Sequence, residues 1–301
     1  MRTIRTRVLS LIVGLAAFLY VNPALGSSSY KCKKPACDIN AIGHRKFFNS
    51  PSVGNWYSTE REKELGEKYA ALVEQRVNVV KDAGISAYVD QLTQRVAQNS
   101  DADMPITVRI IRNNDEGAFT LFGGHLYLTT GLLLKLQSEG ELASVLARGI
   151  AHTALRSVAR LQTRSNLLQN TNPVLQVPAG NNMAPTLGLL KFQRDFELEA
   201  DYIGIQYVYK SGYDTNCFLS AVQTLWRPKA FSPFPPLAER LKMLHQEIDD
   251  ILPSRPEAVV STPEFDEFIA RMRQIAPPES TAPSEKDAQP KLIRHDPASN
   301  E

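Results

Sequence analysis

Two pairs of polar residues, each four apart, carry most of the chemistry open to this chain. Arg148 and His152 lie in one amphipathic stretch, and Glu197 and Asp201 lie in another. Four residues is just over one helical turn, so each pair shares a helix face. An imidazole and two carboxylates can ligate a divalent cation or exchange protons. A guanidinium does neither, because it has five donors, no acceptor and a permanent positive charge.

The segment Arg148-Gly149-Ile150-Ala151-His152 stands where a zinc peptidase would write His-Glu-x-x-His. In that motif two imidazoles four apart hold the metal, and the glutamate takes a proton from metal-bound water. Here Arg148 occupies the first ligand position, Gly149 the general-base position, and only His152 keeps a motif residue. Glycine in mid-helix costs about 1 kcal/mol against alanine, so local propensity does not account for Gly149.

Phe196-Glu197-Leu198-Glu199-Ala200-Asp201-Tyr202-Ile203-Gly204 follows, and it resembles the Glu-x-Glu-Ala-Asp signature of the CAAX-prenyl-protease-like zinc metallopeptidases. Tyr57-Ser58-Thr59-Glu60 through Gly66 is similar to that family's first helix. The segment from Gly117 through Gly123-Gly124-His125 to Leu133 is similar to its edge-strand region, Pro235 to Leu241 to a block after its Thr-His-Pro element, and Ser261 to Phe265 to a late block. The family includes membrane proteases and periplasmic ones that clear misassembled outer-membrane proteins. The resemblance implies an α+β, mainly helical zincin-like fold, with a small mixed sheet and an edge strand beside the motif helix. It also implies a metal ligand at Glu197, a carboxylate at Asp201 that orients a ligand histidine, and a peptide-binding edge strand over Gly124, His125, Leu126, Tyr127 and Leu128. The chain departs from the family pattern at Arg148 and Gly149, at Gly117 for asparagine, at Phe122 for proline, and at Pro233-Phe234 for Thr-His.

The elements that must position these residues are partly legible. Thr59-Glu60-Arg61-Glu62 reads as a capping box opening a helix from about 59 to 82, and a second helix follows Gly84. Ile106, Val108 and Ile110 alternate as in a half-buried strand, and Leu126 and Leu128 flank Tyr127 in another. Ser138-Glu139-Gly140-Glu141 is a capping box for the motif helix, which buries Leu142, Val145, Leu146, Ile150 and Leu155. Residues 163 to 185 are rich in Asn, Gln, Thr and Pro and read as a mobile loop over the cleft; a long helix begins near Leu187.

The ends give the domain plan. Residues 1–26 carry Arg2, Arg5 and Arg7, an apolar run, and Ala24-Leu25-Gly26, which reads as a signal peptide. Residues 27–55 form an irregular arm, 56–276 the metallopeptidase-like domain, and 277–301 a proline-rich disordered tail. Cleavage removes three arginines, so the mature chain is close to neutral and gives no sign of nucleic-acid binding. It carries no transmembrane helix, and its location is periplasmic or secreted. Cys32 and Cys37 are spaced for a local disulfide in an oxidising compartment, and Cys217 reads as a buried free thiol.

These observations point to a pseudopeptidase with no bound metal. Arg148 would contact Glu197 or Asp201 and replace the ion's charge, with His152 hydrogen-bonded nearby. The partners would be extended peptides or envelope proteins, or an active paralogous peptidase. The alternative is an active zinc metalloendopeptidase with a rebuilt site that uses His152, Glu197 and a third ligand from His125 or Asp201.

Overall fold

The computed structural model describes residues 36–48, 54–171, 187–225 and 234–275, the side chains of 168–171 and 187–190 excepted. The segment 1–26 read as a signal peptide, Cys32 and residues 277–301 lie outside the described residues. The body is mostly helical, with a mixed three-stranded sheet, as an α+β architecture requires.

Helix α1 spans Thr59–Glu74. Its N-cap is Ser58, whose side chain accepts from the Arg61 amide, whereas Glu62 turns inward to Arg156 and Asn55. The helix stops well short of residue 82 because Asn78 to Val80 pair with a strand instead: the Val80 amide donates to Ile110 and the Arg112 amide to Asn78, both at 2.8 Å. Helix α2 (Ala83–Gln98) is capped by Asp82.

The sheet consists of β1 (Thr107–Ile111), β2 (Ala118–Thr120) and β3 (His125–Thr129) in the order β1-β3-β2. β3 is therefore the central strand, parallel to β1 and antiparallel to β2. Of the segment Gly124 to Leu128, expected from the resemblance to be the edge, His125 to Leu128 are paired on both sides, and the edge strand beside the motif helix is β2. The cause is the turn through Gly123 and Gly124, whose φ angles of 73° and 84° suit glycine and fold Ala118–Thr120 back onto β3.

Beyond the short α3 (Thr130–Leu133) lies α4 (Glu139–Ala154), which carries the motif. Ser138 caps it by accepting from Glu141, and the Glu141 carboxylate accepts from the amide of Gln137. Leu142, Leu146 and Ile150 are fully buried, and α4 packs chiefly on the long helix α6 (Leu187–Lys210) and, on the sheet side, on β2. Helix α5 (Ser157–Thr171) occupies residues 163–171, which the polar composition had suggested as loop. Helices α7 (Asn216–Leu225), α8 (Leu237–Asp250) and α9 (Pro263–Ile275) complete the body. Gly204 of α6 lets the two central helices approach closely, since a Cβ there would lie 3.2 Å from Arg148 Cα. Among the described residues no helix is long and apolar enough to cross a membrane.

Candidate active site

Helices α4, α6 and α8 bring charged side chains together at one end of a cleft of about 590 Å³. Arg148 Nε donates to Asp201 Oδ1 at 2.9 Å, and Arg148 Nη2 is ion-paired with Glu197 Oε2. His152 Nε2 lies 3.5 Å from the same Glu197 oxygen. Burial first, and then the charge of Arg148, push the His152 imidazole down to about 3, so it is neutral at ordinary pH. Asp201 has no solvent exposure. Burial raises its pKa, but Arg240 and then Arg148 outweigh that and hold the carboxyl below its usual range.

Arg240, on α8, lies in the block Pro235–Leu241 that resembles the family, but the sequence did not show it as part of the site. Its Nε donates to Asp201 Oδ2 at 2.6 Å and its Nη2 to Oδ1 at 2.9 Å, a two-point grip on the carboxylate that Arg148 also touches. Phe234 places its ring 5.4 Å from Arg148 Cζ and 5.9 Å from Arg240 Cζ. Its aromatic face covers both guanidinium groups. Two cations thus face two carboxylates, and the site is close to electrically balanced.

Zinc in tetrahedral coordination, with arms of roughly 2.0–2.1 Å, holds neighbouring ligand atoms about 3.4 Å apart. His152 Nε2 and Glu197 Oε2 keep nearly that spacing, at 3.5 Å. The rest of the donor set does not fit. Arg148 Nη2 contacts the Glu197 oxygen a metal would need, and both oxygens of Asp201 are taken by guanidinium nitrogens. His125, weighed above as a third ligand, lies on the other face of the sheet: Leu126 is packed toward α4, and His125 Nδ1 is bonded to Thr107 Oγ1 at 2.9 Å. Among the described residues no group of three or more His, Cys, Asp or Glu side chains is placed to hold a metal. At the base position, a Cβ on Gly149 would stand 2.6 Å from Leu126 Cδ2 and 3.4 Å from Thr120 Oγ1.

β2 lines the cleft beside Arg148, Gly149 and His152. The amides of Leu121 and Thr129 donate to the carbonyls of His125 and Gly117. Hydrogen-bonded pairs alternate in an antiparallel ladder, so Phe119 bonds with Tyr127 while the N–H and C=O groups of Ala118 and Thr120 point away from β3. The open edge offers two donors and two acceptors at main-chain spacing. Phe119, largely exposed, stacks on Tyr127 at 5.0 Å on the face away from α4. The remaining lining includes Val145, Phe196, Phe218, Val222 and Leu225, so the cleft is mainly apolar.

Residues 85–248 match peptidase family M48. The chain belongs to that family. It is similar to the beta-barrel assembly-enhancing protease of Escherichia coli (28% identical over 202 residues, 62% of this chain and 42% of that protein). A Vibrio cholerae protein provisionally given the same name is 32% identical over 247 residues, 74% of this chain and 50% of its own length. The mitochondrial metalloendopeptidase OMA1 of Schizosaccharomyces pombe is 30% identical over 148 residues, 46% of this chain and 42% of that enzyme. The chain thus spans about half the length of the curated relatives it matches.

Proposed function

We propose that this M48 protein is a non-catalytic peptidase homologue, which holds extended segments of envelope proteins along β2 without cutting them. The observation that carries this reading is the Arg148 guanidinium, in contact with both Glu197 and Asp201 where the family would bind its ion. Water activation needs a Lewis acid or a base beside the scissile carbonyl. A guanidinium accepts no proton, and Gly149 has no side chain. Strand addition needs only main-chain groups and an open edge, both of which remain.

The bacterial relatives are named for enhancing β-barrel assembly. Barrel strands before assembly are extended, alternate apolar with polar residues, and have unpaired edges. A strand laid against β2 would turn alternate side chains into the apolar cleft and the others toward Phe119. The signal-like N-terminal sequence supports an envelope location.

Metal analysis of protein purified without chelator, run beside a casein digestion, tests the loss of catalysis. The expected result is substoichiometric zinc and no digestion. Zinc at one per chain with proteolysis would instead favour a rebuilt site using His152 and Glu197, whose 3.5 Å spacing is the one feature that recommends it. Ala118→Pro tests the binding edge: it removes an outward N–H while leaving the β3 ladder intact, and should abolish capture of an extended peptide.

A further inference from the structure

We infer that Arg148 is itself a contact residue for the bound chain, its Nη1 donating to a main-chain carbonyl of an extended peptide paired with β2. This rests on the reading that β2 receives such a peptide, and it adds which group on the facing helix completes the clamp.

A guanidinium distributes five N–H bonds over three nitrogens in one rigid plane. Arg148 Nε is committed to Asp201 and Nη2 to Glu197. Among the described residues Nη1 makes no hydrogen bond, and the side chain keeps 20% of its surface open in a cleft that Ala118 and Thr120 also line. The helix turn bearing Arg148 lies close to the edge strand, since a Cβ at position 149 would stand 3.4 Å from Thr120 Oγ1. Phe234 lies beside the guanidinium, its ring centroid 5.4 Å from Cζ.

Charge balance selects the acceptor. Arg148 and Arg240 are matched by Glu197 and Asp201, so a carboxylate entering the cleft would be an uncompensated negative charge in a half-buried site. A neutral carbonyl satisfies the unused donor without that cost. The ligand class is therefore an internal, uncharged, extended segment, bound by two residues at Ala118 and Thr120 and by one carbonyl at Arg148. A carbonyl held in this way meets no carboxylate from position 149, which is glycine. The arginine retains the chain where a metal would have prepared it for attack.

The test uses the full chain and a fluorescent decapeptide alternating Val and Thr, acetylated and amidated, with anisotropy as readout. Arg148→Lys keeps the positive charge beside Glu197 but loses the fork, and should bind about tenfold more weakly. A thioamide scan of the peptide supplies a readout that a merely structural role would not move, because sulfur is a poor acceptor. One thioamide position should weaken binding to the native protein several-fold and leave Arg148→Lys unaffected. Equal affinity of Arg148→Lys and native protein, or thioamide losses identical in both, would overturn the inference while leaving strand pairing intact. Tighter binding of a free-acid peptide than of its amide would overturn the choice of a neutral carbonyl. Peptide binding that survives Ala118→Pro would remove the β2 reading itself, and with it this one.

Discussion

Asp201 has no solvent exposure and is gripped by two arginines, which share the work unequally. Arg240 holds both oxygens and Arg148 one. Arg240→Ala should therefore cost about 3–5 kcal/mol, the usual consequence of stripping a buried charge of its partner. Arg148→Ala should cost only about 1–2 kcal/mol, since Asp201 keeps Arg240 and the partly exposed Glu197 can turn to water. Urea denaturation of the two variants measures the difference; equal losses would contradict this division. The four-residue spacings put Arg148, His152, Glu197 and Asp201 on shared helix faces, and the structure brings all four together. Arg240 falls in the Pro235–Leu241 block that resembles the family, but nothing in the block marks it as a partner of Asp201, because one arginine on an amphipathic helix reads as a surface residue. Its burial depends on how α8 docks against α6, which no short window encodes.

At the scale of elements, the sequence made Gly149 an unexplained expense in mid-helix, and the packing supplies a reason. The glycine lets α4 lie close on β3, with Leu126 filling the space where a side chain would begin. Alanine at 149 would gain about 1 kcal/mol of helix propensity, yet its methyl would stand 2.6 Å from a buried leucine carbon. The expected balance for Gly149→Ala is a loss of about 1–3 kcal/mol, as for other overpacked cores. In a Leu126→Ala background the same substitution should become neutral or stabilising, so a double-mutant cycle should show a change of sign. An effect of Gly149→Ala that is identical in both backgrounds would mean that the glycine answers some other demand. The sheet shows a similar limit on local reading. The alternation of Leu126 with Leu128 is visible in the sequence, but strand order is set by the Gly123-Gly124 turn, and only the assembled sheet reveals β2 as the edge.

Across the whole molecule, the contacts hardest to read were those spanning the greatest chain distance. The arm reads as irregular, and residues 36–48 do lack long helices or strands, yet Arg45 is buried and bonds Asp101 at 2.6 Å and, across 161 positions, Gln206 at 2.7 Å. Gln206 in turn donates to Glu247 of α8, and Tyr207 donates to Asp101. No periodicity reports such a network, because each member is a lone polar residue until the fold collects them. The network carries its own signature. Burial lifts the Glu247 carboxyl to about 7, with Tyr202, Gln206 and Arg45 opposing the shift and Asp250 adding to it. The unfolded chain titrates this group near its ordinary value of 4.5, so between pH 4.5 and 7 the folded state holds the extra proton. Stability from this group is complete below that window and is lost as pH rises through 7. Glu247→Gln still accepts from Gln206 through its amide oxygen and has no charge to bury. The variant should match the native protein near pH 4.5 and exceed it by about 1–3 kcal/mol at pH 8. Urea midpoints at the two pH values decide the matter: a variant less stable than the native chain at pH 8 would mean that the ionised carboxylate is a net asset to the network, with Arg45 outweighing its burial.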